Sequence, residues 1–186
     1  TSVSTNVTEI DNEAPKINVV SWSPCYVNNG KAYEKIAPTL PTNRSVILKL
    51  DFSKTVSELK VYYKNGENWE EDQGTFSKTN IELGGRSATV EFTDKIPGIV
   101  KVVATSPNGK SNQIEDIDLV DVIDKNAPKI TFTKKEENNT VKVTYKSDEM
   151  VLVSGADSDT TYGAGTDIPL TIKKNGTYKI SFTDMA

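Results

Sequence analysis

The sequence predicts an all-β protein made of two consecutive β-sandwich domains. Apolar residues alternate with polar ones at period two, and turn-forming residues interrupt this pattern at short intervals. A third observation is an internal repeat, because residues 10–17 read IDNEAPKI and residues 123–130 read IDKNAPKI, 113 positions later. Residues 98–106 and 176–184 form a second similar pair, near the end of each unit. Two similar segments in the same order indicate a tandem array.

Unit one, residues 11–122, contains seven segments with the pattern of short strands. In residues 46–52, VILKLDF, the even-numbered side chains share one apolar face, while Lys49 and Asp51 point away from it. Seven strands is the number in an immunoglobulin-like sandwich, so we expect that fold. The expected strands lie near residues 16–22, 45–52, 57–63, 75–83, 87–93, 98–105 and 112–121. One core should contain Val46, Leu48, Leu50, Phe52, Val61, Val90, Phe92, Val100 and Val102, with Trp22 nearby.

Unit two, residues 123–186, shows the same alternation in fewer segments. Its expected strands lie near residues 129–134, 140–146, 150–153, 167–172 and 176–183. The counterpart of the last strand of unit one would fall beyond Ala186. We therefore expect a second immunoglobulin-like sandwich that is truncated before its last strand, with an open edge that invites strand addition.

Residues 1–10 are expected to be a linker or the last strand of a preceding repeat. Val3–Ile10 aligns with the tail of unit one that precedes Asp124. The same segment of a neighbouring molecule is therefore one candidate partner for the open edge of unit two.

Unit one is longer than unit two, and most of the difference lies between its first two strands. Aligning the repeats places about 20 extra residues within Trp22–Asn43, where loops on a rigid sandwich often bind ligands. Trp22, Tyr26 and Tyr33 alternate there with prolines, and we take these three as a candidate ligand-binding surface. An ordered flap that covers one end of the sandwich is the alternative.

Three motifs resemble a known family. DNEAP at residues 11–15 and DKNAP at residues 124–128, each followed by an alternating strand, and NGTYKISFTD at residues 175–184 resemble the tandem bacterial Ig-like repeats of Gram-positive cell-surface and secreted proteins. The resemblance implies an extracellular module, at the cell surface or secreted, that acts as a stalk, a spacer or an adhesive segment. Such repeats are also attached to secreted glycosidases and peptidases. The insertions of unit one depart from the compact pattern of the family.

The composition argues against several classes of partner. A net charge of −4 provides no basic field for nucleic acid, so we expect no nucleic-acid partner. No apolar run approaches the roughly 20 residues that span a bilayer, so we expect no membrane insertion in this segment. A host or cell-wall protein or glycan is the expected partner.

The sequence offers little catalytic chemistry. It contains no histidine, which removes the commonest general base and the usual catalytic triads. The carboxylates in Glu70-Glu71 and in Glu136-Glu137 are adjacent, so on a strand they face opposite sides and do not converge. Cys25 is the one cysteine; it is a reactive thiol or, by the commoner behaviour of free cysteine, a small apolar residue. We therefore expect no enzymatic activity, no catalytic residues and no cofactor-binding residues.

Calcium is the one metal ion that the sequence leaves open. Asp116, Asp118, Asp121 and Asp124 lie close together in the chain at the junction of the units, and carboxylate oxygens are ligands that calcium prefers. The segment DKNAP is similar to the linker of cadherins, but the glutamate motifs that complete a cadherin site are absent. The alternative is a set of solvated carboxylates.

Together these expectations describe a non-catalytic extracellular segment of a bacterial cell-surface protein that acts as a stalk or spacer and takes part in adhesion. The alternative is an accessory module of a secreted glycosidase or peptidase that binds carbohydrate or protein.

Overall fold

The computed structural model describes residues 11–137, 139–155 and 159–184, without the side chains of Tyr26 and Asn28. The described elements are all β-strands, which confirms the all-β prediction. Every paired strand runs antiparallel to its neighbour within these ranges. The strands are β1 (Ile17–Ser23), β2 (Tyr26–Asn28), β3 (Lys31–Tyr33), β4 (Val46–Phe52), β5 (Glu58–Asn65), β6 (Asn68–Glu71), β7 (Ser77–Ile81), β8 (Ser87–Phe92), β9 (Val100–Thr105), β10 (Ser111–Ile117), β11 (Ile130–Glu137), β12 (Thr140–Ser147), β13 (Val151–Ser154), β14 (Thr160–Tyr162), β15 (Ile168–Ile172) and β16 (Ser181–Asp184).

The chain divides into two compact units, one that ends at Lys125 and one that begins at Asn126. The division falls inside the second copy of the repeated motif, immediately before Ala127-Pro128. Proline fixes its own φ and restricts the residue before it to extended geometry, so this junction does not continue as a helix. The expected role of residues 1–10 as a linker or strand lies outside the described residues.

Unit one contains two four-stranded sheets with the orders β1-β4-β8-β7 and β10-β9-β5-β6. These orders correspond to the ABED and GFC sheets of an immunoglobulin constant-type sandwich, with β6 added beside β5. The hairpin β2-β3 forms a separate two-stranded ribbon. The two larger sheets are joined by one apolar cluster that draws residues from both of them.

The core of unit one follows from strict alternation in its central strands. In β4 the side chains of Val46, Leu48, Leu50 and Phe52 are buried, while those of Lys49 and Asp51 face solvent. The nine core residues predicted from sequence all lie in this cluster, which confirms them. Burial of apolar side chains between two sheets is the main source of stability for a sandwich of this kind.

Gly98 occupies a position that tolerates no side chain. A Cβ atom at this residue would lie 2.0 Å from the carbonyl oxygen of Lys64. The backbone of Lys64 is held in place because its N–H donates to the carbonyl of Ile99 at 2.8 Å. This close approach fixes the entry into β9 against the end of β5.

Unit two repeats the strand order of unit one in a smaller form. Its sheets have the orders β11-β12-β15 and β14-β13-β16. By this order β16 corresponds to β9, which in unit one lies between β5 and β10. Within the described part of unit two, β16 pairs with β13 and no second strand lies beside it. The expected covering strand, Val3–Ile10, lies outside the described residues.

Three strands are several residues shorter than the sequence predicts. β16 begins at Ser181, five residues later than expected, β10 ends at Ile117, four residues earlier than expected, and β7 spans Ser77–Ile81 where residues 75–83 were expected. The described ladder between β13 and β16 ends at Ser154–Ser181. Gly155 follows with a φ of 90°, and a Cβ atom there would lie 2.3 Å from the carbonyl oxygen of Lys179, so this position excludes a side chain. In the sequence the alternation extends back through residues 176–180, but the described pairing of β16 begins at Ser181. Four strands were not predicted at all: β2, β3, β6 and β14.

The core of unit two is small. Among the described residues of this unit, the fully buried apolar side chains are those of Val143, Val151, Val153 and Ile168. Three aromatic rings extend this core toward solvent. The ring centroid of Tyr145 lies 6.0 Å from that of Phe132 and 5.3 Å from that of Phe182. Phe132 is nevertheless 67% exposed. Since buried apolar area provides most of the folding free energy, unit two should be the less stable unit.

We predict that Val102→Asp unfolds unit one. Val102 is fully buried on the inner face of β9, so the carboxylate would be buried without a partner, at a cost of several kcal/mol against a total stability of about 5 to 15 kcal/mol. Urea denaturation followed by circular dichroism measures the effect. The matched control is Val103→Asp, one residue further on the outward face, which should retain the native midpoint within about 1 kcal/mol. Equal losses in both variants would contradict the sandwich.

We also predict two separate unfolding transitions, of which the one at lower temperature belongs to unit two. Val153→Ala should lower only the first midpoint in differential scanning calorimetry, because Val153 belongs to the small core. Val102→Ala should lower only the second midpoint, because Val102 belongs to the large core. A reversed order, or one transition that both variants shift, would show the prediction to be wrong.

Candidate binding surface

Residues 24–43, which we call the first loop, connect β1 to β4 and contain the hairpin β2-β3. Asn28 pairs with Lys31, so Asn29 and Gly30 form the two-residue turn. Their φ angles are 49° and 77°, the positive values that a type I′ turn requires at both central positions. The Asn-Gly sequence therefore explains the position and the type of this turn.

The first loop is anchored near both of its ends by backbone hydrogen bonds. At the start, the Trp22 N–H donates to the carbonyl of Glu34 at 2.5 Å. At the end, the Thr42 N–H donates to the carbonyl of Val122 at 2.7 Å, and the Asp124 N–H donates to the carbonyl of Thr42 at 3.0 Å. Bonds of this kind reduce the entropy that a loop loses on binding.

Several apolar side chains of the first loop face solvent. Leu40 is 64% exposed, Tyr33 is 37% exposed, and Val27 and Ile36 are also exposed. Beside Leu40 lies a groove of about 190 Å³ that is lined by Pro24, Cys25 and residues 38–42. The free thiol of Cys25 is half-buried in this groove and contributes to its wall. Exposed apolar groups on an anchored loop are typical of a surface that contacts another molecule.

The three aromatic residues predicted for this surface have different positions. Tyr33 lies on β3 and is exposed, as a binding residue must be. The backbone of Tyr26 lies in β2 opposite Tyr33, but its side chain is outside the described part of the chain. Trp22 is only 4% exposed and stacks on Phe92 with a centroid distance of 6.3 Å. Trp22 is thus a core residue, which corrects its assignment to the ligand-binding surface.

A β-bulge explains why Trp22 points inward. β1 pairs with β4 through Val19–Leu50 and then through Trp22–Leu48, so Val20 is an extra residue in the ladder. Opposite residues in a ladder share one face, and Leu48 and Leu50 are both buried. Without the extra residue, Trp22 would face solvent. Alternation in the sequence alone does not reveal such an insertion.

The four carboxylates proposed for calcium do not converge. Asp118 accepts a hydrogen bond from the N–H of Val120 at 3.1 Å, and Asp121 forms an ion pair with Lys95 at 2.6 Å. The hydrogen bond to Asp121 raises the pKa of Lys95. Asp116 and Asp121 have positive φ angles of 59° and 58°, as turn residues do. Among the residues that the structure describes, no three Asp, Glu, His or Cys side chains lie close enough to hold a metal ion.

A second surface was not found from the sequence. Tyr62 on β5 lies opposite Lys101 on β9 and opposite Glu71 on β6, and Trp69 is two residues from Glu71 on the same face of β6. Tyr62, Trp69 and Lys101 therefore share the outer face of the sheet β10-β9-β5-β6. The ammonium nitrogen of Lys101 lies 4.4 Å from the ring centroid of Trp69 and 5.1 Å from that of Tyr62. The sequence pattern did not single out Trp69, because its cross-strand position opposite Lys64 is set by pairing and not by the local sequence.

The adjacent carboxylates are already engaged. Glu70 accepts hydrogen bonds from the Tyr63 hydroxyl at 2.9 Å and from Asn65, whereas Glu71 pairs with Lys60 on the other face of the sheet at 3.3 Å. Hydrogen bonds from lysines lower the pKa of both Glu136 and Glu137. A lowered pKa keeps a carboxyl group ionised, which is the opposite of what a general acid needs near neutral pH.

No known protein family matches the chain, and no curated protein matches it. Within the described ranges, no helix is long and apolar enough to cross a membrane. A functional assignment therefore depends on the surfaces of the chain itself.

We predict that calcium does not change the melting temperature of either unit. Asp121 is paired with Lys95 and Asp118 is used in a turn, so calcium binding would have to break these contacts. Calorimetry in millimolar calcium and in chelator measures the difference, because an ion that binds only the folded state raises its melting temperature. If calcium raises the melting temperature and Asp121→Asn abolishes that rise, the metal hypothesis is restored.

Proposed function

We propose that this chain is a non-catalytic extracellular segment of a bacterial cell-surface protein, which acts as a spacer and contributes to adhesion through the first loop of unit one. The observation that carries the proposal is the anchored first loop with its exposed apolar side chains. The expected partner is a host or cell-wall protein or glycan, and no nucleic acid is involved. The tandem strand pattern and the resemblance of the repeated motifs to bacterial Ig-like repeats support the extracellular location.

The first loop has the properties of a protein contact site. Its apolar side chains Leu40 and Ile36 stand in solvent, although burial in a core or an interface would be favourable. Its prolines restrict the backbone around the groove, and its hydrogen bonds to residues 122 and 124 hold it on unit one. A pre-organised apolar surface of this kind loses little entropy when it binds.

Among the described residues the reactive side chains are already paired or lie apart from one another, and this arrangement supports a binding role. The sequence has no histidine, and the carboxylate pairs lie on opposite faces of their strands or pair with lysines. The groove beside Leu40 contains a thiol but no base, and a thiol needs a base or a positive neighbour to act as a nucleophile.

A second candidate function is that of an accessory module in a secreted glycosidase or peptidase, which binds carbohydrate or protein without chemistry of its own. The aromatic pair Tyr62 and Trp69 on the outer sheet face favours this alternative, because aromatic rings on a rigid sheet are suited to ligand contact. The two functions differ in the surface that they use, so substitutions can separate them.

We predict that Leu40→Asp weakens adhesion about tenfold or more, because a charge at an apolar contact must be desolvated without a partner. The measurement is biolayer interferometry of the whole chain against immobilised fibronectin, fibrinogen, collagen and purified peptidoglycan. Leu83→Asp is the matched control, since Leu83 is fully exposed in the turn between β7 and β8.

Leu83→Asp should bind as the unchanged chain does, and both variants should melt at the original temperature. The adhesive role of the first loop is wrong if the unchanged chain binds none of the four surfaces. It is also wrong if Leu40→Asp binds as tightly as the unchanged chain.

A further inference from the structure

The outer face of the sheet β10-β9-β5-β6 carries two aromatic rings that the core does not use. Tyr62 and Trp69 are both partly exposed, although each is large enough to stabilise a core. Cross-strand pairing places them on the same side of the sheet as Lys60, Lys64 and Lys101. Neither aromatic side chain belongs to the apolar cluster of unit one.

One flexible side chain, that of Lys101, lies over both rings. Lys101 reaches over both rings, at 4.4 Å from Trp69 and 5.1 Å from Tyr62, which is within the range of a cation–π interaction. An exposed pair of this kind is weak, of the order of 1 kcal/mol or less. A ligand can therefore rearrange the lysine side chain at small cost while the β-ladder holds the two rings in place.

The charges around the rings favour an acidic ligand. Lys60 is compensated by two carboxylates, Glu71 at 3.3 Å and Glu58 at 3.6 Å. Glu115 of β10 also lies on this face, because Gln113 is opposite Val103 and donates to the Glu115 carboxylate, so three lysines face three glutamates. The two lysines beside the rings, Lys64 and Lys101, nevertheless have no carboxylate partner among the described residues.

We propose that this face binds an acidic polysaccharide, a polymer of sugars that carry carboxylates. The C–H face of a sugar ring packs on Trp69 and Tyr62, and its carboxylate accepts hydrogen bonds from Lys101 and Lys64. Because one ammonium group reaches both rings, a carboxylate paired with Lys101 brings its own sugar ring to the same aromatic surface. This site is separate from the first loop; the inference rests on the second candidate function, carbohydrate binding at Tyr62 and Trp69, and specifies its ligand class.

Cross-strand stabilisation alone is an incomplete explanation of these residues. Aromatic and charged pairs on one face do stabilise a sheet. However, β5 is already held by its buried residues Leu59 and Val61 and by pairing with β9 over six residue pairs. Lys64 and Lys101 form no ion pair with a described residue, so these two lysines add no charge-pair stability to the sheet.

Tryptophan fluorescence provides a direct test, because the chain has only two tryptophans and Trp22 is buried. Polygalacturonate is the acidic probe, and hydroxyethyl cellulose is the neutral probe. We expect polygalacturonate to change the emission of Trp69 and to retard the whole chain in affinity electrophoresis. Hydroxyethyl cellulose should do neither.

Two variants should weaken binding of polygalacturonate about tenfold or more: Trp69→Ala, which removes the stacking surface, and Lys101→Gln, which removes the charge. Trp69→Phe keeps an aromatic ring and should retain part of the retardation, so it replaces Trp69→Ala in the test if that variant does not fold. Lys49→Gln is the matched control, because Lys49 is an exposed lysine on the outward face of the opposite sheet. Calorimetry confirms that each variant is folded.

The proposal is overturned if polygalacturonate neither changes the emission nor retards the unchanged chain. It is also overturned if hydroxyethyl cellulose binds equally well, since the carboxylate would then be irrelevant. Equal losses in Lys101→Gln and Lys49→Gln would show a general charge effect in place of a site. A loss of polygalacturonate binding that is confined to the Trp69 and Lys101 variants supports the proposal.

Discussion

The structure of unit one depends on a single constraint, the burial of alternate side chains from β4 and β8 in one sheet against those from β5 and β9 in the other. Because the side-chain period of a strand is two, a slip of one residue would move a whole apolar set into solvent. The register of the central strands is therefore strongly determined. The edge strands β1 and β10 are attached to this centre and show the register shifts.

The same alternation creates the outer surfaces. Each inward residue of β5 has an outward neighbour, so the core that buries Val61 also fixes the position of Tyr62. The first loop is held differently, by backbone hydrogen bonds from Trp22, Thr42 and Asp124. Both surfaces are pre-organised, one by a β-ladder and one by its anchored ends, and pre-organisation reduces the entropic cost of binding. The β-bulge in β1 links the first loop to the core, because it turns Trp22 onto Phe92 just before the first loop begins.

Unit two follows the same plan with less apolar material. Its strand order reproduces that of unit one, but its described core has few fully buried residues and its first strand is exposed on both faces. The aromatic series from Phe132 through Tyr145 to Phe182 replaces part of the missing aliphatic packing. The described ladder between β13 and β16 covers four residue pairs and ends next to Gly155, where a Cβ atom would meet the backbone of Lys179.

The sequence by itself determined the all-β class, the approximate positions of the main strands and the nine core residues of unit one, because a period of two is a local property of the chain. Comparison of its repeats also located the first loop. Only the tertiary structure decided that Trp22 is buried, that the four aspartates at the junction stay apart, and that Tyr62, Trp69 and Lys101 share one face. The reason is that bulges and strand neighbours are set by pairing between distant segments, such as β5 with β9, and no local pattern in the chain specifies which segments meet.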